Sequence, residues 1–151
     1  MRYRDSVAPP DSLLQTLAEF RFEMRRFLHF SESAALQAGL QPQQHQLLLQ
    51  VAGAPEATTV TIAYAAERLG LKHNSTVELV DRSEREGFLT RTPDPGDRRR
   101  AILKVTRKGN RILGQLSGDH ARELNVLAHR LIQALKSIRI HQGIAAVVES
   151  R

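Results

Sequence analysis

Apolar residues recur at intervals of three and four along most of this chain, a pattern that predicts a mainly helical protein. From Leu13 to Leu28 this spacing predicts a first helix, with Ser12 and Gln15 as a capping box at its start and Gly39 as its stop. The helix is too apolar to stand alone. It belongs either to a core or to a subunit interface, and we favour the interface because so much of the chain lies outside the central region.

Helices are also expected on either side of the centre of the chain. Pro42 suits a first helical turn, and the helix that it opens should run to about Ala52. Thr106 opens the last helical region, for which we expect a break near residues 128–132 and an end at Gly143.

The central region predicts two short helices joined by a tight turn. The first covers 62–69, and the second runs from Asn74 or Ser75 to Glu86. About three residues separate them, as in a helix-turn-helix.

A basic hairpin should follow this helix pair. Strands are expected at residues 88–91 and 101–106, because the segment between them is rich in the turn-forming residues proline, glycine and aspartate. The β-branched segment 58–61 suggests a small third strand.

The second helix of the pair has two distinct faces. Thr76, Leu79, Val80 and Ser83 share one face at helical spacing and should pack on the preceding helix. The other face suits a DNA groove, because amide, carboxylate and methyl groups can read base edges and a helix start attracts phosphate. The alternative for each of these residues is an ordinary exposed side chain. The candidate DNA-binding residues in and before this helix are Lys72, His73, Asn74, Ser75, Val77, Glu78 and Arg82.

Positive charge concentrates in the hairpin and its exit. Residues 91–108 hold seven basic and two acidic side chains, a net +5 out of +6 for the whole chain. Arg98, Arg99 and Arg100 at the tip suit the narrow, electronegative minor groove and the phosphate backbone. Asp97 can hold one of these arginines in a fixed rotamer. The alternative is a solvated charge run on an edge hairpin.

Composition narrows the function classes. The chain has 151 residues, 41% apolar, and a pI near 10.5, which favours a polyanionic partner, with nucleic acid ahead of a membrane surface. It has no cysteine, which excludes disulfides, thiol redox sensing and cysteine-ligated zinc. The absence of a long apolar run or a signal-like N-terminus leads us to expect a cytoplasmic protein.

No catalytic motif is visible. None of the six histidines forms an i, i+4 pair with another, and no phosphate-cradling glycine loop occurs. We expect no enzyme, no cofactor and no metal site. His120 with Glu123, which resembles half of a metal site, is the weaker alternative.

The central residues resemble the MarR family of bacterial winged-helix regulators. The similarity covers about residues 40–110, and the basic hairpin with the Thr-x-x-Gly that follows it is its most specific part. Ser83, where the family usually has leucine, and Gly96 at the hairpin tip depart from the family pattern. The segments that carry the resemblance are Leu69-Gly-Leu, Asn74-Ser-Thr, Leu79-Val-Asp-Arg, Glu86-Gly-Phe-Leu-Thr-Arg, Asp94-Pro-Gly-Asp-Arg-Arg-Arg and Leu103-Lys-Val-Thr-Arg-Lys-Gly.

The resemblance implies a mainly α fold with a small β-wing. Residues 1–151 would form one domain, with a winged helix-turn-helix at 40–106 and helical dimerisation regions at 11–39 and 107–151. The implied function is a homodimeric regulator, a repressor rather than an activator, that binds a palindromic operator in double-stranded DNA. The resemblance assigns Arg99, then Arg98, to the minor groove and gives Asp97 the role of ordering the wing.

Many members of this family release DNA when a small aromatic acid or phenol binds. The candidates for such an effector are aromatic, basic or histidine side chains of the helices, although aromatic residues on a helix are more often core. A different reading of the whole chain is a winged helix used for protein contacts, and replacing residues 98–100 would discriminate the two. The effector candidates are Arg26, Phe27, His29, Phe30 and Tyr64.

Overall fold

The computed structural model describes the backbone of residues 11–149 and the side chains of residues 11–140. Within that range the chain forms five helices and one two-stranded sheet. The elements are α1 (Asp11–Gln37), α2 (Pro42–Ala52), α3 (Ile62–Leu69), α4 (His73–Arg85), β1 (Leu89–Pro93), β2 (Ala101–Val105) and α5 (Arg107–Glu149).

The chain divides into two compact units. One comprises residues 31–120, and the other combines residues 11–30 with 121–149 among those described. The first unit contains the helix pair and the hairpin, so the mainly α fold with a small β-wing is confirmed.

The core of the unit formed by residues 31–120 gathers side chains from α2, α4 and both strands. Leu47, Leu79, Val80, Leu89 and Leu103 are each at most 2% exposed. The polar residues of the predicted inner face of α4 are buried as well, because their hydroxyl groups bond backwards along the helix. Thr76 Oγ1 donates to the Lys72 carbonyl at 3.0 Å and Ser83 Oγ donates to the Leu79 carbonyl at 2.8 Å.

Glycines follow the two helices of the pair. Gly70 has φ +64° and Gly87 has φ +78°, a region that L-residues with a Cβ rarely adopt. The residue after each glycine donates its amide hydrogen back to the helix. The Leu71 amide donates to the Ala66 carbonyl at 3.0 Å, and the Phe88 amide donates to the Ser83 carbonyl at 2.9 Å.

The expected third strand is wrong apart from a single bridge. Thr61 pairs with Ile102, and the Leu103 amide donates to the Val60 carbonyl at 2.8 Å. Pairing stops there because Thr61 is also the N-cap of α3, where its Oγ1 accepts from the Tyr64 amide at 3.2 Å. The chain therefore leaves the sheet edge after one residue.

The ends and the continuity of three helices differ from the predictions. The break near 128–132 and the end at Gly143 are wrong, because α5 continues to Glu149. Glycine lowers helix propensity by about 1 kcal/mol relative to alanine but keeps its amide, so it need not stop a helix. α1 begins at Asp11, which leaves Ser12 inside the helix, and α4 begins at His73, one or two residues earlier than predicted.

The unit made of residues 11–30 and 121–149 pairs the start of α1 with the later part of α5. Glu23 is only 5% exposed, and its carboxylate accepts from Arg130 at 2.8 Å and from Arg26 at 3.4 Å. Many large apolar side chains of this unit are nevertheless exposed. They are Leu14, Leu17, Phe22, Met24, Leu28, Leu124, Val126, Ile132, Leu135 and Ile140.

Across residues 11–149, no helix combines the length and the apolar character that a membrane crossing needs.

A tight junction joins the end of α4 to the start of α5. The Thr106 hydroxyl contacts the carbonyls of Gly87 at 2.7 Å and Phe88 at 3.1 Å, and it accepts from the Gly109 amide at 3.1 Å. A Cβ on Gly109 would collide with the Phe88 carbonyl oxygen and would lie 2.6 Å from Val105 Cγ1. This close approach is the physical reason for glycine in the Thr-x-x-Gly segment.

Replacing Gly109 with alanine should therefore destabilise the fold by about 1–3 kcal/mol, the usual cost of overpacking. Urea unfolding measures this free energy. Gly114→Ala is the matched control, because nothing lies within 4 Å of a Cβ there and helix propensity alone should stabilise it by about 0.5–1 kcal/mol. Equal effects of the two substitutions would contradict the close approach.

Two histidines lie together in the unit formed by residues 31–120. The rings of His45 and His120 are 4.9 Å apart between centroids. His120 Nδ1 lies 2.6 Å from the Leu116 carbonyl and Nε2 lies 2.7 Å from Ser31 Oγ. Since a carbonyl only accepts, a neutral His120 donates through Nδ1 and accepts from Ser31 through Nε2. His45 Nδ1 is buried without a hydrogen-bond partner in the described part of the chain.

Burial lowers the pKa of His45 from its ordinary value, and the charge of His120 lowers it further. The unfolded chain then takes up this proton at a higher pH than the folded chain does. The stability that depends on neutral His45 is thus complete above the ordinary histidine pKa of about 6.5 and is lost as the pH falls through the folded value.

His45→Gln should consequently weaken the acid-induced loss of stability. We expect the free energy of unfolding to fall less steeply below about pH 6.5 in this variant than in the wild type. Urea titrations at a series of pH values measure the slope. Gln43→Ala, a change at an exposed residue of the same helix that carries no titrating group, should keep the wild-type slope. A wild-type slope in His45→Gln would overturn the assignment.

Candidate nucleic-acid interface

The turn between α3 and α4 presents the outer face of α4 to solvent. Three residues, 70–72, separate the two helices. Val77 is half-buried, whereas the polar candidates on and before α4 are exposed. Within the described residues their side chains make no hydrogen bond or ion pair with other protein groups. These exposed candidates are Lys72, His73, Asn74, Ser75, Glu78 and Arg82.

The first turn of α4 offers backbone donors at the same place. Lys72 is the N-cap, and its side chain makes no capping hydrogen bond. The first amides of a helix have no acceptor inside the helix, and together with the helix dipole they attract anions such as phosphate.

Two aspartates organise the backbone of the wing tip, which comprises residues 94–100. Asp94 is 6% exposed, and its Oδ1 accepts from the Gly96 amide at 2.8 Å. Its Oδ2 lies 2.8 Å from Arg100 Nη2, a close charge pair rather than an aligned hydrogen bond. The Asp94 amide also donates to the Arg100 carbonyl at 3.1 Å, which closes the turn.

Asp97 holds one arginine in a fork. Its carboxylate accepts from the Arg99 amide at 3.1 Å, from Nε at 3.1 Å and from Nη2 at 3.3 Å, and it lies 3.9 Å from Arg100 Nε. The hydrogen bonds from Arg99 lower the pKa of Asp97 below its ordinary value. The Arg99 side chain is still 90% exposed, so its orientation is restrained while its outer edge faces solvent.

The charge count of the hairpin changes once the structure is considered. Arg91, one of the seven basic residues counted from the sequence, pairs with Asp81 at 2.7 Å and with Glu84 at 2.6 Å. Both carboxylates lie on α4, outside the residues that the count covered. Arg98 is exposed and pairs with no acidic group in the described part of the chain.

The effector candidates fall in both units. Arg26, Phe27, His29 and Phe30 lie on α1 in the unit with residues 11–30, and Tyr64 lies on α3 against the core of the other. Arg26 stacks over the Phe22 ring at 5.8 Å and contacts Glu23. No group of three histidine, aspartate or glutamate side chains suited to a metal ion occurs among the described residues.

A helix pair with a three-residue turn, followed by a basic two-stranded hairpin, defines the winged helix-turn-helix class. Residues 38–100 match the model of the MarR family, so this segment is similar to that family of regulators.

A curated relative is similar to part of the chain. The uncharacterised HTH-type transcriptional regulator YcgE of Bacillus subtilis (strain 168) is 34% identical over 84 residues, which are 56% of this chain. The chain spans only 53% of the length of that relative.

Solved structures share the fold. A MarR family transcription regulator superposes with a TM-score of 0.71 at 17% identity, covering 93% of this chain and 92% of that one. A MepR mutant of S. aureus bound to an oligodeoxyribonucleotide gives 0.62 at 16% identity, with 87% and 94% covered. PcaV of Streptomyces coelicolor, in complex with its natural ligand, gives 0.51 at 29% identity, with 69% and 74% covered.

Proposed function

We propose that this protein is a homodimeric repressor that binds a two-fold operator through α4 and the wing tip. One observation carries the proposal. Within the described residues the exposed polar candidates on α4 have no protein partner, and the hairpin that follows presents arginines already ordered by Asp94 and Asp97. Side chains without internal partners are free to bind, and ordered ones lose less entropy when they do.

On α4, each candidate has a chemical counterpart in the major groove. Asn74 can pair with adenine, Glu78 can accept from the cytosine amino group, and Val77 can contact a thymine methyl. The remaining residues suit the phosphate backbone, where a hydroxyl, an imidazole or a cation can donate to oxygen. These residues are Lys72, His73, Ser75 and Arg82.

In the wing tip, the arginines differ in their freedom. Arg99 is oriented by Asp97 and is the residue that we assign to the minor groove, where a narrow stretch attracts guanidinium groups. Arg98 is the second candidate for the minor groove. Arg100 would contact a flanking phosphate, and its pairing with Asp94 limits its reach.

The dimer is supported by the exposed apolar side chains of α1 and α5. Phe22 is 55% exposed, Val126 is 68% exposed and Ile140 is 62% exposed. Isolated apolar residues on a surface are ordinary, but many of them on two helices of one unit favour burial against another copy. A two-fold dimer would present two copies of α4 to a two-fold DNA site, with half-sites about one DNA turn apart.

The test is selection of duplexes from a random pool by the full-length protein. We expect recovered sites with two-fold symmetry, bound at least about a hundredfold tighter than random duplexes. Arg99→Ala should weaken binding about tenfold and lower the salt dependence, because a groove cation is lost. Arg111→Ala, which removes an exposed cation from α5, outside α4 and the wing tip, is the matched control.

Light scattering completes the test. A monomer at micromolar concentration, or sites without symmetry, would contradict the two-fold operator. Equal and weak binding of every duplex, unchanged by substitution of residues 98–100, would favour the alternative of a winged helix used for protein contacts.

A small aromatic acid or phenol is proposed as the signal that releases DNA. The support is that CouR of Rhodococcus jostii RHA1, solved with p-coumaroyl-CoA bound, shares the fold with a TM-score of 0.58 at 24% identity, covering 75% of this chain and 83% of that one. The candidates on α1 offer a carboxylate partner in Arg26, ring partners in Phe27 and Phe30, and a hydrogen-bonding partner in His29.

4-Hydroxybenzoate added to the preformed complex should raise the apparent Kd for DNA in the wild type but not in Arg26→Ala. Fluorescence anisotropy of labelled duplex measures the release. Arg25→Ala, an exposed neighbour, should respond like the wild type. Identical release in all three proteins would show that Arg26 does not bind the effector. If no aromatic acid or phenol released DNA, this class of effector would be contradicted.

A further inference from the structure

Arg91 connects the wing to α4 through every polar part of its side chain. Its Nε and Nη2 donate to Glu84 Oε2 at 2.9 and 2.6 Å, and its Nη1 lies 2.7 Å from Asp81 Oδ1. The backbone takes part as well, because the Arg91 amide donates to Glu84 Oε1 at 3.1 Å. The Glu84 carboxylate therefore holds both the side chain and the main chain of one strand residue.

The two acids and the arginine lie at defined places in the proposed interface. Asp81 follows Glu78 by three residues on α4, so it continues the stripe of side chains proposed to read bases. Arg91 is the central residue of β1, opposite Leu103 in β2. The contact thus joins the end of the base-reading stripe to the middle of the wing hairpin.

We propose that Arg91, clamped by Asp81 and Glu84, is the positioning residue that sets the wing relative to α4 for DNA binding. The inference rests on the proposed function, since it concerns the same interface. A protein that reads two grooves at once must hold its two reading elements at the spacing of those grooves. The loop between α4 and β1 contains Gly87, whose φ is +78°, and the clamp joins the hairpin to α4 across this loop.

The arrangement suits positioning better than direct phosphate binding. Three of the five guanidinium N–H groups already have carboxylate partners, and hydrogen bonding to Glu84 raises the pKa of Arg91 above its ordinary value. A phosphate would have to compete with two carboxylates at this site.

The clamp is also poorly suited to a purely stabilising role. The three side chains are between 32% and 41% exposed, and half-exposed ion pairs add little to stability. The planar guanidinium of Arg91 fixes the relative positions of the two carboxylates, which a lysine ammonium could not do.

The substitution Glu84→Gln distinguishes the two roles, because they predict opposite changes in DNA affinity. Removing a negative charge near DNA should strengthen binding if only electrostatics mattered, whereas a broken clamp should weaken it. We expect Arg91→Gln and Glu84→Gln each to weaken binding of the selected duplex by about tenfold, and the double variant to be no weaker than the worse single variant. Glu67→Gln removes an exposed acid from α3 and should bind at least as tightly as the wild type.

Amide hydrogen exchange in the free protein provides a readout that needs no DNA. Residues 89–105 should exchange faster in Arg91→Gln and in Glu84→Gln than in the wild type or Glu67→Gln, with thermal midpoints little changed. Unchanged exchange of the hairpin in both variants would overturn the clamp.

The DNA measurements decide whether the clamp positions the wing. Glu84→Gln binding as tightly as the wild type, or losses that multiply in the double variant, would overturn the positioning role. If the wild-type protein prefers no duplex, the proposed function itself fails, and the exchange measurement still decides whether Arg91 holds the hairpin to α4.

Discussion

The geometry of the proposed DNA-binding surface depends on one junction, where the chain leaves α4 and where it enters α5. The Phe88 carbonyl accepts from the Thr106 amide at 3.0 Å, and the Thr106 hydroxyl reaches the same carbonyl. Lys108 closes the junction from outside, with Nζ 2.7 Å from the Glu86 carbonyl and 4.5 Å from the centre of the Phe88 ring. Because both ends of the hairpin are held at this point, the base of the wing is fixed relative to α4.

Carboxylates order the basic surface at three successive positions. Glu84 restrains the middle of β1, Asp94 closes the turn, and Asp97 orients Arg99 at the tip. Each acid reduces the net positive charge that DNA would experience, yet each restrains a cation or a loop that would otherwise lose entropy on binding. The surface therefore has a lower net positive charge but more ordered side chains. A simple count of basic residues overestimates the number of cations without an acidic partner.

Local patterns in the sequence determined most of the architecture. The three-residue turn, the buried face of α4 and the glycine stops at Gly39, Gly70 and Gly87 follow from periodicity and from the special backbone freedom of glycine. The resemblance to the MarR family was recognisable for the same reason, since the hairpin and the Thr-x-x-Gly segment are short and contiguous. Two predictions were wrong because they treated a residue preference as decisive. Gly143 does not end α5, and the β-branched segment 58–61 forms a single bridge rather than a strand.

Only the tertiary structure decided which charges meet. Asp81, Glu84 and Arg91 are three to ten residues apart in the sequence, but their contact exists because a left-handed turn brings β1 back along α4. The same holds for His45 and His120, whose pairing depends on packing between distant segments. Residue types and their periodicity belong to the sequence, whereas ion pairing and buried contacts depend on distances in space, which no local pattern encodes.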